Sequence, residues 1–302
     1  MIELALVSGF AAATVRVATP LALAAIGETI TERSGVLNLG IEGAMLAGAL
    51  GAAVGAAGFG VVGGVAAGVL AGVATSAIVA AVAIGARADQ IITGTAVTLG
   101  MIGLTGLLAR VAFGNAGAGL TLPTLPVVPI PGLAAIPVLG PAFFAQSVLS
   151  YAAYLAVPLA AWLLFRTRFG LELRAAGESP SAAHAMGVHV PRVRTIATLI
   201  GGAFAGLAGA TLVLAQVGTF TEKMTAGRGF IAIAIVVLGR WHPLGAALAA
   251  LLFGAATALQ FTFQASGSAV PYQLFLALPY LLALAVLAVA VGRRKGPAAL
   301  GK

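Results

Sequence analysis

The chain has 302 residues, of which 61% are hydrophobic, 41 are Gly and only 8% are charged. An ordinary soluble domain carries roughly 25% charged residues, so a water-soluble globular enzyme is excluded, and intrinsic disorder, which needs low hydrophobicity and high charge, is excluded too. What remains is an all-α polytopic transmembrane helical bundle, and at about 20 residues per crossing the length holds about eight to ten spans.

The net charge is +8, and the basic residues sit between hydrophobic runs. That placement reads as positive-inside topology, with the lipid bilayer and not nucleic acid as the partner. The sequence has no cysteine, so neither a disulfide framework nor a thiolate metal site is expected. The first apolar run lacks a basic leader and is too long for a signal peptide.

In chain order, apolar runs separated by polar or Gly/Pro breaks give spans near 4–26, 36–57, 59–85, 90–113, 145–165, 195–217, 228–240, 243–264 and 271–291. The seventh is short and lies beside Gly227 and Gly229, so it reads as a full crossing or as a re-entrant, broken helix. Gly60, Gly64, Gly68 and Gly72 are spaced by four, a stripe that lets a neighbouring backbone approach closely. No soluble domain fits, so residues 1–302 form one transmembrane domain, with a polar loop at about 166–194 inside it. That loop holds Arg166, Arg168, Arg174, Arg192 and Arg194, and the tail holds Arg293, Arg294, Lys295 and Lys302. Both are expected in the cytoplasm. The uncharged, Pro-rich stretch Asn115–Gln146 reads as an external loop. Counting back then puts Arg87 inside, 56–60 outside, Arg33 inside and the N-terminus outside.

Enzymatic chemistry finds no support. His184, His189 and His242 have no metal-ligand spacing, and the chain has neither a phosphate loop nor a nucleophile elbow. No cofactor is expected on this chain.

Two segments carry more information. Thr31–Met45 places Asn38 and Glu42 four apart, on one face if the segment is helical. A carboxylate in such a place costs free energy and usually faces a bundle interior or a water-filled path. One reading is a broken helix lining a pathway; the other is a polar helix end, with Glu42 paired to Arg33 or to another helix. In the loop at 166–194, Ser179 suits an N-cap, Pro180 the first helical position and Gly187 the position after the helix. These signals predict a short helix over about 180–186, which reads as a docking element; the alternative is a plain connection.

Four blocks resemble a known family. They are Thr19-Pro20-Leu21 with Gly27-Glu28; Glu32-Arg33-Ser34-Gly35-Val36-Leu37-Asn38-Leu39-Gly40-Ile41-Glu42-Gly43; Arg174 to Val188 through Gly177, Pro180 and Gly187; and Gly227 to Gly245 through Phe230, Gly239, Trp241 and Pro243. In these the chain resembles the permease subunits of bacterial ABC importers for ribose-type sugars, nucleosides and branched-chain amino acids, and most of all the nucleoside/simple-sugar branch. The second block is the most specific.

The resemblance implies a multi-pass protein of the bacterial cytoplasmic membrane that pairs with a second permease subunit, as a homodimer or heterodimer, around a central path. It implies an ABC ATPase subunit on the cytoplasmic face, which uses the ATP, and an extracytoplasmic substrate-binding protein or lipoprotein outside. The ATPase-coupling residues would be Gly177, Glu178, Ser179, Pro180, Ala182, Ala183 and Gly187. For a nucleoside, amides suit sugar hydroxyls and rings suit a base, so path candidates are Asn38, Glu42, Thr93, Thr95, Thr98, Gln216, Gln260, Phe261 and Gln264. Each polar one is as readily a helix–helix hydrogen bond, worth under about 1 kcal/mol on average. Glu222 and Lys223 read as an ordinary external loop before a binding-protein contact, and Arg240-Trp241-His242-Pro243 as an interfacial anchor. Two other functions stay open: a permease for monosaccharides or branched-chain amino acids, and a stand-alone secondary transporter or channel.

Overall fold

The computed structural model describes residues 2–114, 121–265, 296–301 and isolated positions between 277 and 288. The expected last span, 271–291, lies outside the described residues. Nine α-helices are seen among the rest: α1 Ile2–Arg33, α2 Ile41–Val79, α3 Gln90–Phe113, α4 Val148–Arg166, α5 Arg168–Glu178, α6 Pro180–Ala185, α7 Val190–Thr211, α8 Arg228–Leu238 and α9 Pro243–Ala265. Among the described residues six helical stretches are long and apolar enough to cross a bilayer, so the chain is an all-α, multi-pass membrane protein.

Their residue choices explain the helices. Thr14, Thr19, Thr29 and Thr31 return their hydroxyls to carbonyls one turn back in α1, which hides polar groups that lipid could not serve. Asp89 caps α3, its Oδ1 accepting the N–H groups of Ile91 and Ile92 at 2.9 Å each. α1 runs seven residues past the expected end at 26, because Gly27 to Arg33 packs against other helices instead of meeting water.

Helix α2 is folded on itself. Phe59 and Gly60 leave the helical region, Gly60 with φ +69°, so the two expected spans 36–57 and 59–85 are the limbs of a tight hairpin. Added Cβ atoms show how close the limbs lie: at Gly51 one would sit 2.8 Å from the Ala67 carbonyl oxygen, and at Gly64 2.8 Å from that of Ala52. The second limb presses equally on α7. Cβ atoms at Gly72 and Gly206 would collide with the carbonyl oxygens of Gly202 and Gly68. The stripe read from the sequence is therefore a packing surface on two sides, with Gly60 as the turn.

The expected external loop has some order of its own. β1, Val127–Pro129, pairs antiparallel with β2, Ala145–Ser147, and Tyr151 Oη donates to the Val128 carbonyl at 2.7 Å. Leu122 and Leu125 donate their N–H groups to Gly218 and Leu214 at the far end of α7. Arg33, Arg194, Gly177, Trp241 and the 296–301 segment gather at the opposite end.

Candidate functional site

The most directed set of polar contacts lies where α1 ends. Helix α1 stops at Arg33, and Gly35 turns the chain with φ +91°, a conformation that favours glycine. Hydrogen bonds join six elements there. Arg33 Nε donates to the Trp241 carbonyl at 2.8 Å, and the Trp241 indole N–H donates back to Glu32 Oε2. Arg194 Nε of α7 donates to the Ser34 carbonyl at 3.1 Å. Gln90 Oε1, opening α3, accepts the Leu37 N–H at 2.7 Å, and Glu28 Oε1 accepts that of Asn38 at 3.1 Å. Gly301 N–H donates to the Gly35 carbonyl, and Ala299 N–H to that of Gly177. Phe165, ending α4, lies under the guanidinium groups of Arg174 and Arg33 and stacks on His242.

Glu28 and Glu32 are both fully buried, and Glu28 Oε2 and Glu32 Oε1 have no hydrogen-bond partner among the described residues. Burying polar oxygens this way is costly, and costly intramembrane carboxylates are typically functional. The block Glu32–Asn38, the most specific part of the sequence, is thus a joint tying α1 to α3, α5, α7, the α8–α9 connection and the tail.

Helices α5 and α6 hang from this joint. The short helix has the signals read in the sequence: Ser179 Oγ accepts the Ala182 N–H, Pro180 is its first residue, and Gly187 follows it with φ +87°. It ends at Ala185, one residue short of the expected end. Ala183 points inward and is buried, while Ser181, Ala182, His184 and Met186 are exposed, Met186 at 85%. Gly177 abuts α1 so closely that a Cβ there would collide with the Arg33 carbonyl oxygen. Glu178 ends α5 with its side chain outside. Ser179 and Gly177 thus connect α6 to the joint.

Asn38 and Glu42 do not share a helix face, contrary to the sequence expectation. Asn38 lies in the turn before α2, where its Oδ1 accepts the Gly40 N–H at 3.0 Å, because a short amide side chain serves a local backbone donor better than it serves a helix. Glu42 sits inside the first turn of α2 and caps another helix. Its Oε1 accepts from Thr225 Oγ1 at 2.6 Å and Gly227 N–H at 2.8 Å, and its Oε2 from Gly229 N–H at 2.6 Å. This buried carboxylate satisfies the positive N-terminus of α8. With 11 residues at 1.5 Å rise, α8 spans about 16 Å, about half the hydrocarbon thickness. It is the broken helix expected beside Gly227, held by Glu42.

The other path candidates do not gather in one place. Thr98 is buried beside Asn38 and donates to the Leu39 carbonyl at 2.9 Å. Thr93 is buried on the same helix, and Thr95 is exposed, its hydroxyl returned to Ile91. Gln216 donates to the Arg16 carbonyl at 2.7 Å near the other end of the bundle. On α9, Gln260 is buried and Phe261 half exposed; the side chain of Gln264 lies outside the described residues. Glu222 forms an exposed ion pair with Arg110 at 3.7 Å. Trp241 is more than an anchor: it is buried, and its indole belongs to the joint.

Sequence reasoning missed helix α5, the partners of Glu28 and Glu32, and the docked 296–301 segment. For α5 a signal existed: Thr167 accepts the Gly170 N–H as a cap, and Phe169, Leu173 and Ala176 recur at helical spacing.

Comparison with known proteins adds the identity. The chain matches the family described as branched-chain amino acid transport system / permease component over residues 10–290. It is 38% identical to the guanosine ABC transporter permease protein NupQ of Bacillus subtilis, over 96% of this chain and 94% of that one. It is 35% identical to the nucleoside ABC transporter permease protein NupC of Lactococcus lactis, over 94% and 92%. TsgC13 of Haloferax volcanii, provisionally named a glucose ABC transporter permease, is 39% identical over 95% and 92%. No solved structure matches significantly. With near-complete coverage by permease relatives and a bundle built to cross a bilayer, the chain belongs to the permease-component family and is the membrane permease subunit of an ABC importer.

Proposed function

We propose that this permease forms the path for nucleosides, delivered from outside by a binding protein or lipoprotein and driven inward by a partner ATPase. Support for the cargo comes from the relatives named for guanosine and nucleosides; the one named for glucose favours a second reading, a simple sugar. Uptake of labelled guanosine by cells carrying the whole system, challenged with unlabelled guanosine, glucose, ribose and leucine, separates them. Guanosine uptake that only unlabelled guanosine competes supports the first reading; no system-dependent guanosine uptake, with labelled glucose taken up instead, overturns it in favour of the second.

The observation that carries the mechanism is the docking of α5–α6 on the joint at Glu32–Asn38. We assign the exposed face of α6, with Ser181, Ala182, His184 and Met186, to the ATPase contact. Gly177, Glu178, Ser179, Pro180, Ala183 and Gly187 shape and hang that face. ATP is bound and used by the ATPase; closure of its two nucleotide sites would move α6, and the joint would pass the motion to α1, α3, α7 and α8 together. The protein then sits in the bacterial cytoplasmic membrane with α5, α6 and the tail in the cytoplasm, beside a second permease subunit. For the path itself, Asn38, Thr95, Thr98, Glu42 and Gln216 have hydrogen bonds within the chain, which leaves Thr93, Gln260 and Phe261 as the better lining candidates.

Purification of the complex in mild detergent tests the assembly. An ATPase and a second permease should co-purify; reproducible isolation of this chain by itself, after cross-linking in the membrane, would contradict the proposal. Deletion of Pro180–Met186 should leave the chain inserted and abolish ATP-coupled uptake.

A further inference from the structure

Beside the joint, and sharing Gln90, Arg194 and Gly301 with it, lies a cavity of about 440 Å³. Its volume falls in the range of small-molecule sites, roughly 300–1,000 Å³. It is bounded by the connection Ala83–Gln90, by Val190, Pro191 and Arg194 at the start of α7, and by Gly301. Three features make it electropositive. Arg87 lines it, exposed and held at φ +57°, a left-handed conformation uncommon for a residue with a side chain. Its guanidinium has no hydrogen bond or ion pair among the described residues. Arg194 lines it too, fixed through its Nε to Ser34. The N-terminal end of α7, a helix of 22 residues, contributes the positive end of its dipole. The opposing charge is Asp89, whose carboxylate already accepts two N–H groups at the start of α3.

We infer that this cavity binds a phosphate group, carried by an anionic lipid headgroup or by a soluble phosphate ester. Planar guanidinium groups match phosphate oxygens in pairs, and basic recesses between membrane helices at the cytoplasmic surface favour anionic headgroups. An occupant would bridge the 83–90 connection, α7 and the 296–301 segment, all of which touch the joint. Binding there would brace the joint against α7 and so tune coupling. The side of the membrane rests on the proposed function; the binding itself does not.

The test uses the complex as purified, placed in nanodiscs of equal parts phosphatidylglycerol and phosphatidylcholine. Lipid retained after mild detergent extraction is read by native mass spectrometry, which needs no transport. The wild type should retain phosphatidylglycerol preferentially. Arg87→Glu should cut that preference at least tenfold, while Arg87→Lys keeps most of it. Ala88→Trp, which fills the cavity without changing charge, should also reduce it; co-elution of the partner subunits checks folding. If inorganic phosphate at millimolar concentration displaces the lipid, or binds in its absence and is lost in Arg87→Glu, the source is a soluble ester. Equal retention of both lipids with no phosphate binding, or retention unchanged in Arg87→Glu, would overturn the inference whether or not the complex transports anything.

Discussion

The two limbs of α2 with α7, and the joint at the end of α1, hold the molecule by different means. In the first region almost nothing is polar: glycine backbones lie against each other, and the fit depends on the absence of side chains. In the second, named donors meet named acceptors from six elements. Within a bilayer, apolar burial gives helices little reason to associate, so close packing of small residues holds them together. Directed bonds do something else: they fix the register between the parts they join. On the proposed mechanism, the contrast assigns close packing and coupling to different sets of residues.

Substitutions can break that separation or sharpen it. The largest effect should come from Gly206→Leu, whose side chain would run into the Gly68 backbone; overpacking against backbone should cost about 3 kcal/mol or more, seen as loss of a monodisperse peak in detergent. Next is Glu42→Ala, which strips acceptors from Thr225, Gly227 and Gly229. A loss of about 3 kcal/mol is expected, measured by thermal unfolding, with Glu42→Gln losing less. Trp241→Phe keeps an aromatic side chain, though a smaller one, and removes the donor to Glu32; it should cost about 2 kcal/mol and lower uptake more than its stability loss explains. Met186→Ala, at an exposed position, should change stability by less than about 0.5 kcal/mol and still reduce coupled uptake several-fold. If Met186→Ala leaves uptake untouched, the exposed face of α6 is not the contact.

What could be read from the sequence followed local rules. The short helix α6 was legible because Ser179, Pro180 and Gly187 each serve a backbone need at a fixed offset. The glycine stripe was legible because spacing by four is a property of one helix. The shared face of Asn38 and Glu42 held only for a helix, which begins after Asn38; the other reading, Glu42 paired to another helix, is what the structure shows, but its partners lie 183 to 187 residues away and spacing could not name them. Distance in the chain likewise hid the pairing of Glu32 with Trp241 and the docking of 296–301 on Gly35 and Gly177. Helix α5 was lost inside a stretch whose arginines read as a loop, since its apolar residues face one side only and raise no hydrophobic run.

The central claim is that motion reaches the membrane helices through the contact of Gly177 with the end of α1. Gly177→Ala tests it most directly, because the single added carbon must push α5 away from the Arg33 carbonyl while leaving the α6 surface intact. In proteoliposomes holding the complete complex, guanosine uptake and ATP hydrolysis would be measured together. The account predicts that hydrolysis continues while uptake per ATP falls at least tenfold. Unchanged uptake per ATP, in a variant that assembles normally, would contradict it.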